Sequence, residues 1–453
     1  MSLMVSISGI RGIVGETLSP EIIKKYCFAF AKYSKFGTII IGRDGRQSGK
    51  EISNTVAKYL TSAGCTVIDL GIVPTPTVQI AVEHLHANGG ISITASHNPN
   101  QWNGMKFISR TGMFLNADEN KIFWDIAEND SIAESEIKGD HVFDASFIER
   151  HISAILNLPQ INLEQIRNKK FKVALDCVNA AGGIIVPALL EKFGCEIIPI
   201  NCDVSGIFSH TPEPIPENLT ALCDLVKKEK ADFGIAVDPD VDRLVLINEF
   251  GEPFVEEYTV TSVIDFILNY ESKQGRNFGS VAVNLSTTRA VDDVAKKYGA
   301  QVFRTAVGEI NVATLMKKEN CVIGGEGSGG VIFPELHIGR DAIVGIGLFL
   351  QYLTESNKSA SELKKALPQY FISKGKIDFT TGNANKILKI IEEKYCAENI
   401  TTIDGVKIDF ADSWVHLRAS NTEPIIRIIA EAKSIALANS LVDIFKTELT
   451  SHF

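Results

Sequence analysis

Along the chain, apolar runs rich in Ile, Val and Ala alternate with amphipathic stretches. Three times they repeat one order: buried strand, polar turn, helix, Gly, second strand. The first repeat runs from Thr38-Ile39-Ile40-Ile41 through a helix over 49–63 to a strand after Gly64. The second runs from Lys172-Val173-Ala174-Leu175 through a helix over 184–193 to a strand after Gly194, and the third from Val281-Ala282-Val283 through a helix ending near Tyr298 to a strand after Gly299. Apolar β-branched runs alternating with helices predict parallel βαβ units. The distance from turn to Gly shortens from 20 residues (Asp44 to Gly64) to 18 (Asp176 to Gly194) and 15 (Asn284 to Gly299), as expected of one domain repeated three times and diverged.

From about Tyr370 the pattern changes to a strand, a helix over 383–396, short strands around 407–420 and 424–432, and a closing helix over 436–449. The fold expected is α/β: three similar domains, at 1–155, 156–254 and 255–368, followed by a smaller α+β domain at 369–453. Linkers are expected near 157–169, 252–257 and 368–373.

Composition narrows the function. The 453 residues are 45% hydrophobic and 22% charged, which excludes a disordered or rod-like chain. No run of 18 apolar residues and no secretory leader is evident. The eight cysteines stand singly, without a CxxC pair, so a cytoplasmic protein with reduced thiols is expected. With 45 basic against 55 acidic residues, net −10, neither nucleic acid nor an anionic membrane is an expected partner. Any anionic ligand must be held by a local group of Arg side chains and backbone N–H donors.

Four loops have the residues for chemistry. Thr94-Ala95-Ser96-His97-Asn98-Pro99 places a Ser and a His on a tight turn after a strand, suited equally to a covalent nucleophile and to a plain Ser/Asn turn. Lys106, ten residues on, is suited to neutralising a phosphoryl group or shuttling a proton, although a solvated Lys at a turn is the default expectation. No G-x-S-x-G elbow is present. Asp238-Pro239-Asp240-Val241-Asp242-Arg243 sets three carboxylates at alternate positions of a loop, the oxygen donors a hard cation such as Mg²⁺ requires. Glu249 falls at the twelfth position of an EF-hand count, but Arg243 replaces the sixth-position Gly and a strand follows, so an EF-hand is rejected. The loop of residues 324–330, Gly-Gly-Glu-Gly-Ser-Gly-Gly, offers Glu326 and Ser328 to sugar hydroxyls and lacks the Walker A ending. Arg418-Ala419-Ser420-Asn421-Thr422-Glu423-Pro424, with Arg427 beyond, is suited to cradling a phosphate, or to capping a helix.

Together with Ser8-Gly9-Ile10-Arg11-Gly12, these loops resemble, in order and over essentially the whole chain, the motifs of the α-D-phosphohexomutases. The resemblance implies four domains around one cleft and an intramolecular phosphotransferase that interconverts hexose 6-phosphate and hexose 1-phosphate through a hexose bisphosphate. Ser96 would carry the phosphoryl group. One Mg²⁺ would be bound by Asp238, Asp240, Asp242 and the Ser96 phosphoryl oxygen. Arg11, His97, Lys106 and Arg243 would surround the phosphoserine, with Lys106 a proton shuttle. Glu326 and Ser328 would hold the sugar, and Arg418, Ser420, Asn421, Thr422 and Arg427 the unreacting phosphate.

Two departures bear on the substrate. Many relatives have His where this chain has Gly330, so any proton transfer by that His falls to another group. Glu309, after Val307-Gly308, is acidic where phosphomannomutase-type members have His and phosphoglucosamine mutases an acidic residue. A carboxylate suits an ammonium at sugar C2, so glucosamine phosphate is the favoured substrate, with glucose or mannose phosphate as the alternative. A sugar-phosphate phosphatase using the same phosphoserine, and a binder that retains the loops, are the readings outside the mutases.

Overall fold

The computed structural model describes residues 3–130, 133–276, 279–378, 384–419 and 425–451, with Glu256 described for its backbone alone. Three sheets are built on one plan. In each, four strands lie in the spatial order second, first, third, fourth; the first three are parallel and the fourth is antiparallel. In chain order the strands are Thr38–Arg43, Thr66–Ile72, Gly89–Ile93 and Trp102–Ser109 in the first unit. They are Lys172–Asp176, Glu196–Ile200, Phe233–Val237 and Leu244–Ile247 in the second, and Val281–Asn284, Val302–Thr305, Ile323–Glu326 and Gly330–Ile332 in the third. The third strands are buried throughout, as apolar runs covered on both faces must be. Three further strands, Met4–Ser6, Gly9–Ile13 and His141–Phe143, widen the first sheet to seven.

This plan brings three sequence motifs to one topological place. Residues 94–101, 238–243 and 327–329 each join the third strand to the antiparallel fourth. The expected repeat is therefore present, and it extends one strand beyond the βαβ pattern.

The fourth sheet is antiparallel, in the order Phe371–Asp378, Ile425–Ala432, Trp414–Ala419, Val406–Asp409, Asn399–Thr401. Helices Ala384–Lys394 and Ile435–Thr450 bury Ile387, Ile391, Val442 and Phe445 against Ile408, Leu417 and Ile428. Two expected linkers are in fact structured. The segment 157–169 contains the helix Leu163–Lys169, because the Asn162 side chain accepts from Gln165 N and Ile166 is fully buried. The 368–373 stretch already contains the start of the strand Phe371–Asp378, which pairs along its length with Ile425–Ala432.

The second and third units share one core. Helix Ala342–Ser356 is apolar on nearly every side, and its Phe349 ring meets Phe233 at 5.6 Å and Phe254 at 5.7 Å between centroids. Asp341 caps this helix, its Oδ1 accepting from Ile343 N at 2.8 Å. Its Oδ2 lies 2.9 Å from His151 Nε2 and 3.3 Å from His337 Nε2, and His151 Nδ1 lies 2.9 Å from Thr77 Oγ1, so the same carboxylate ties the first unit to the third.

Phe349→Ala would leave a cavity shared by two sheets. The expected cost is about 3–5 kcal/mol of unfolding free energy, measured by urea denaturation, and a loss below about 1 kcal/mol would show that the ring is not central to the core.

Candidate active site

The Ser96 turn leaves the strand Gly89–Ile93 and folds back through its own side chains. Thr94 Oγ1 donates to Asp44 Oδ2 at 2.7 Å and accepts from Ser96 N at 2.8 Å. Ser96 adopts a left-handed backbone (φ +49°), sparsely populated for a residue with a Cβ. Its Oγ donates to Asp238 Oδ2 at 3.2 Å and lies 3.2 Å from His97 Nδ1. Burial, then the charges of Arg243 and Arg11, push the His97 imidazole down to about 2, so it is neutral. Arg11 donates to Asn98 Oδ1 at 3.1 Å, which holds the strand Gly9–Ile13 to the turn.

The second loop is wound by Val241, whose side chain is buried in the core while its backbone turns left-handed (φ +60°). Asp238 Oδ1 accepts from Asp242 N and Arg243 N, both at 3.1 Å, closing the turn. Asp238, Asp240 and Asp242 thus each offer an oxygen within 4.8 Å of the others, and all three are 0% exposed. Burial and the two neighbouring carboxylates hold the Asp238 carboxyl well above its usual range. Among the described residues, Asp240 Oδ1 and Asp242 Oδ1 have no hydrogen-bond partner. Buried oxygens left open in an all-oxygen donor set are what a hard divalent cation fits. Glu249 is remote from this cluster and binds Ser359 and Ser361, consistent with the absence of an EF-hand.

Lys106 departs from the default expectation of a solvated turn. It stands on the strand Trp102–Ser109, is 3% exposed, and donates to Asp240 Oδ2 at 2.6 Å and Asp242 Oδ2 at 3.1 Å. Burial alone would lower the pKa of its ammonium, but the two carboxylates together raise it above the ordinary value.

Arg340, which no sequence motif marks, completes the charge balance. Its guanidinium donates to Asp242 Oδ2 at 2.6 Å, Glu326 Oε2 at 2.9 Å and Glu309 Oε2 at 3.1 Å. Burial opposes it, yet Arg340, Lys106 and Arg243 hold the Asp242 carboxyl well below the usual range. Gly330 is required here for space: a Cβ would come within 2.2 Å of Arg340 Cδ. The side chain absent at position 330 is thus replaced in space by Arg340. Glu309 is buried and already engaged by Arg340 through both its side chain and its backbone N. Burial raises the Glu309 carboxyl, with Arg340 opposing.

Glu326 ends the third strand. Its Oε1 accepts from Asn284 Nδ2 at 2.8 Å and Gly308 N at 2.9 Å, so its position is fixed from both flanks. In the fourth unit Arg418 and Arg427 face each other directly across antiparallel strands. Like charges in that register repel, and an anion between them relieves the repulsion. Arg418 Nε donates to Asp404 Oδ1 at 3.0 Å, and Asp404 Oδ2 accepts from Val307 N at 2.9 Å, linking the fourth unit to the third. Ser420, Asn421 and Thr422 lie outside the described residues.

A cavity of about 350 Å³ joins these parts. Arg11, Ser96, His97 and Lys106 line it from the first unit and Arg243 from the second. Glu309, Glu326, Ser328 and Arg340 line it from the third, and Arg418 and Arg427 from the fourth. Lys374, on the strand Phe371–Asp378, joins the two arginines and was not foreseen. The three Asp residues lie buried at the cavity's side, reached through Ser96 and Lys106. The arrangement brings a serine hydroxyl, a buried three-carboxylate set, the polar groups of the third unit and three cationic side chains of the fourth to one cavity.

Comparison with known proteins agrees with this geometry. Four family models match in succession: phosphoglucomutase/phosphomannomutase alpha/beta/alpha domain I at 4–133, domain II at 149–251, domain III at 261–371, and the C-terminal domain at 375–447. A phosphoglucomutase/phosphomannomutase of Thermococcus kodakarensis is 36% identical over 96% of both chains. A phosphoglucosamine/phosphogalactosamine mutase of Sulfurisphaera tokodaii is 33% identical over 98% of this chain and 99% of its own. The crystal structure of a phosphoglucomutase/phosphomannomutase family protein from Burkholderia thailandensis superposes with a TM-score of 0.84 at 24% identity, covering 99% of this chain and 98% of its own. With all four units matched in order and the relatives aligned end to end, the chain belongs to the phosphoglucomutase/phosphomannomutase family of phosphohexomutases.

Proposed function

We propose that this phosphohexomutase interconverts the 6- and 1-phosphates of glucosamine through phospho-Ser96 and a hexose bisphosphate. The observation that carries the reading is Ser96 Oγ, 3.2 Å from a buried three-carboxylate cluster and on the wall of a cavity that the paired arginines Arg418 and Arg427 also line. In the forward step the bond from Ser96 Oγ to phosphorus breaks as the sugar hydroxyl oxygen bonds to phosphorus. Arg11 and Arg243 receive the charge on the moving group. Lys106, held as an ammonium, supplies the proton that Ser96 Oγ takes up and is reprotonated by the proton that the attacking sugar hydroxyl gives up. Glu326 and Ser328 orient the ring, while Arg418, Arg427 and Lys374 retain the other phosphate. The bisphosphate then turns over, and its second phosphoryl group returns to Ser96. Asp238, Asp240 and Asp242, with a phosphoryl oxygen on Ser96, would hold Mg²⁺, which would supply the charge neutralisation that phosphoryl transfer depends on.

The amino sugar is supported by the lining of the cavity, which includes the acidic residues Glu213, Glu257, Glu309 and Glu326. A second reading, with glucose or mannose phosphate as substrate, draws on Arg340, which already engages Glu309 and Glu326 and competes with a substrate ammonium for them.

The two readings separate in a rate comparison with Mg²⁺ and a trace of bisphosphate. Glucosamine 6-phosphate is expected to exceed glucose and mannose 6-phosphates by at least about tenfold in kcat/KM, a difference of about 1.4 kcal/mol. Equal or better turnover of the neutral sugars selects the second reading, and net phosphate release without isomer exchange would make the chain a phosphatase. Ser96→Ala should abolish exchange with all three.

The cation site is tested by titration calorimetry on the unphosphorylated chain. Asp240→Asn is expected to weaken Mg²⁺ binding by about tenfold or more. Arg340→Met, which removes a competing cation from Asp242, is expected to tighten it by a similar factor. An unchanged affinity in both variants would place the cation elsewhere.

A further inference from the structure

Behind the Ser96 turn lies a group that no motif assigned. Arg46 belongs to the turn after the strand Thr38–Arg43 and is 1% exposed, so its charge is wholly inside the protein. Its Nε donates to Asp44 Oδ2 at 3.0 Å. Nη1 donates to the carbonyls of Pro99 at 2.8 Å and Trp102 at 3.1 Å, and Nη2 to those of Ser96 and Asn98, both at 2.6 Å. Every N–H of the guanidinium is used, and its targets span the whole turn from the nucleophile to the start of the next strand. Asp44 also accepts from Thr94 Oγ1, which in turn accepts from Ser96 N. The Ser96 peptide is therefore gripped at both ends: its N–H through Thr94 and Asp44, its carbonyl by Arg46.

The grip reaches into the second unit. The Phe208 ring covers the guanidinium at 4.8 Å from Arg46 Cζ. The chain carrying it lies flush on the Arg46 turn, since a Cβ on Gly206 would come within 2.0 Å of Gly45 O. The unit that supplies Asp238 thus also closes over the residue that aims Ser96 at Asp238.

We propose that Arg46, roofed by Phe208, is a positioning residue for phosphoryl transfer: it holds Ser96 in its left-handed conformation with Oγ directed at the carboxylate cluster. This rests on the reading of Ser96 as the phosphoryl carrier. Arg46 does the task because its planar fork reaches carbonyls on two sides at once; a Lys ammonium in the same space has three clustered donors and leaves buried carbonyls unpaired. A misplacement of about 1 Å at a reacting atom is worth about 100-fold in rate.

The test compares the wild-type chain, Arg46→Lys and Phe208→Ala. The readouts are phosphoryl uptake by Ser96 from glucose 1,6-bisphosphate, followed by intact mass, together with kcat, KM and the thermal midpoint. In Arg46→Lys, uptake rate and kcat are expected to fall together by about 100-fold. KM is expected to stay within about threefold, because the sugar and far-phosphate contacts are untouched. Phe208→Ala is expected to lose about tenfold in uptake rate and kcat on the same pattern. Wild-type uptake with Arg46→Lys also at wild-type rate overturns the inference alone, as does a KM that rises in step with the loss of kcat. Failure of the wild-type chain to take up phosphoryl overturns the function beneath it, and the inference with it. If Arg46→Lys does not fold, Phe208→Ala decides, and an undiminished uptake rate there overturns the proposal.

Discussion

Everything at the centre of this molecule depends on keeping charges balanced where water is excluded. Three carboxylates sit fully buried on one turn, and each would be prohibitively costly alone. Lys106 comes to them from the first unit and Arg340 from the third, while Asp242 and Asp240 belong to the second. No single unit is electrically complete. The cleft is therefore a condition of the assembly: the sheets must meet in one way for the charges to cancel, and where they meet, a cavity with the Ser96 hydroxyl at its wall remains.

The same economy appears in how the loops are held. Ser96 and Val241 both have backbone conformations that a Cβ disfavours, and both are over-determined by surroundings. For Val241 the restraint is apolar burial, and for Ser96 it is a hydrogen-bonded frame of Thr94, Asp44 and Arg46. Glu326 is fixed by Asn284 and a backbone N–H. The fourth unit is joined to the third in the same way, through polar contacts such as Asp404 with Val307 and Ser286 with His416.

The repeat was legible in the sequence because βαβ units write their period into the order of apolar runs, turns and glycines. The antiparallel direction of each fourth strand was not, since pairing direction leaves no local trace: the strand after Arg243 was expected, but not its place in a repeated plan, and Lys106, whose default expectation was a solvated turn, stands on a buried strand. The loop 238–243 declared itself through charge density alone. Arg340 and Arg46 stayed hidden for a different reason. Arg340 acts ten residues beyond Gly330, where only the tertiary fold returns it to the loop, and Arg46 bonds to carbonyls, which every residue has and no sequence pattern distinguishes. The helix in 157–169 was missed because its seven residues bury little beyond Ile166.

The helix Ala342–Ser356 has a consequence for how the chain comes into being. It fills the floor of the second sheet as well as the third, yet it is made long after the second sheet's last strand, Leu244–Ile247. During synthesis the first unit can close its sheet as soon as its own strands emerge, but the second must wait with its apolar face uncovered until the ribosome has passed Ser356. The order in which the units mature is then not the order in which they are translated: the second and third are finished in one event, and the three-carboxylate turn of the second takes its final charge environment only when Arg340 arrives with the helix it precedes.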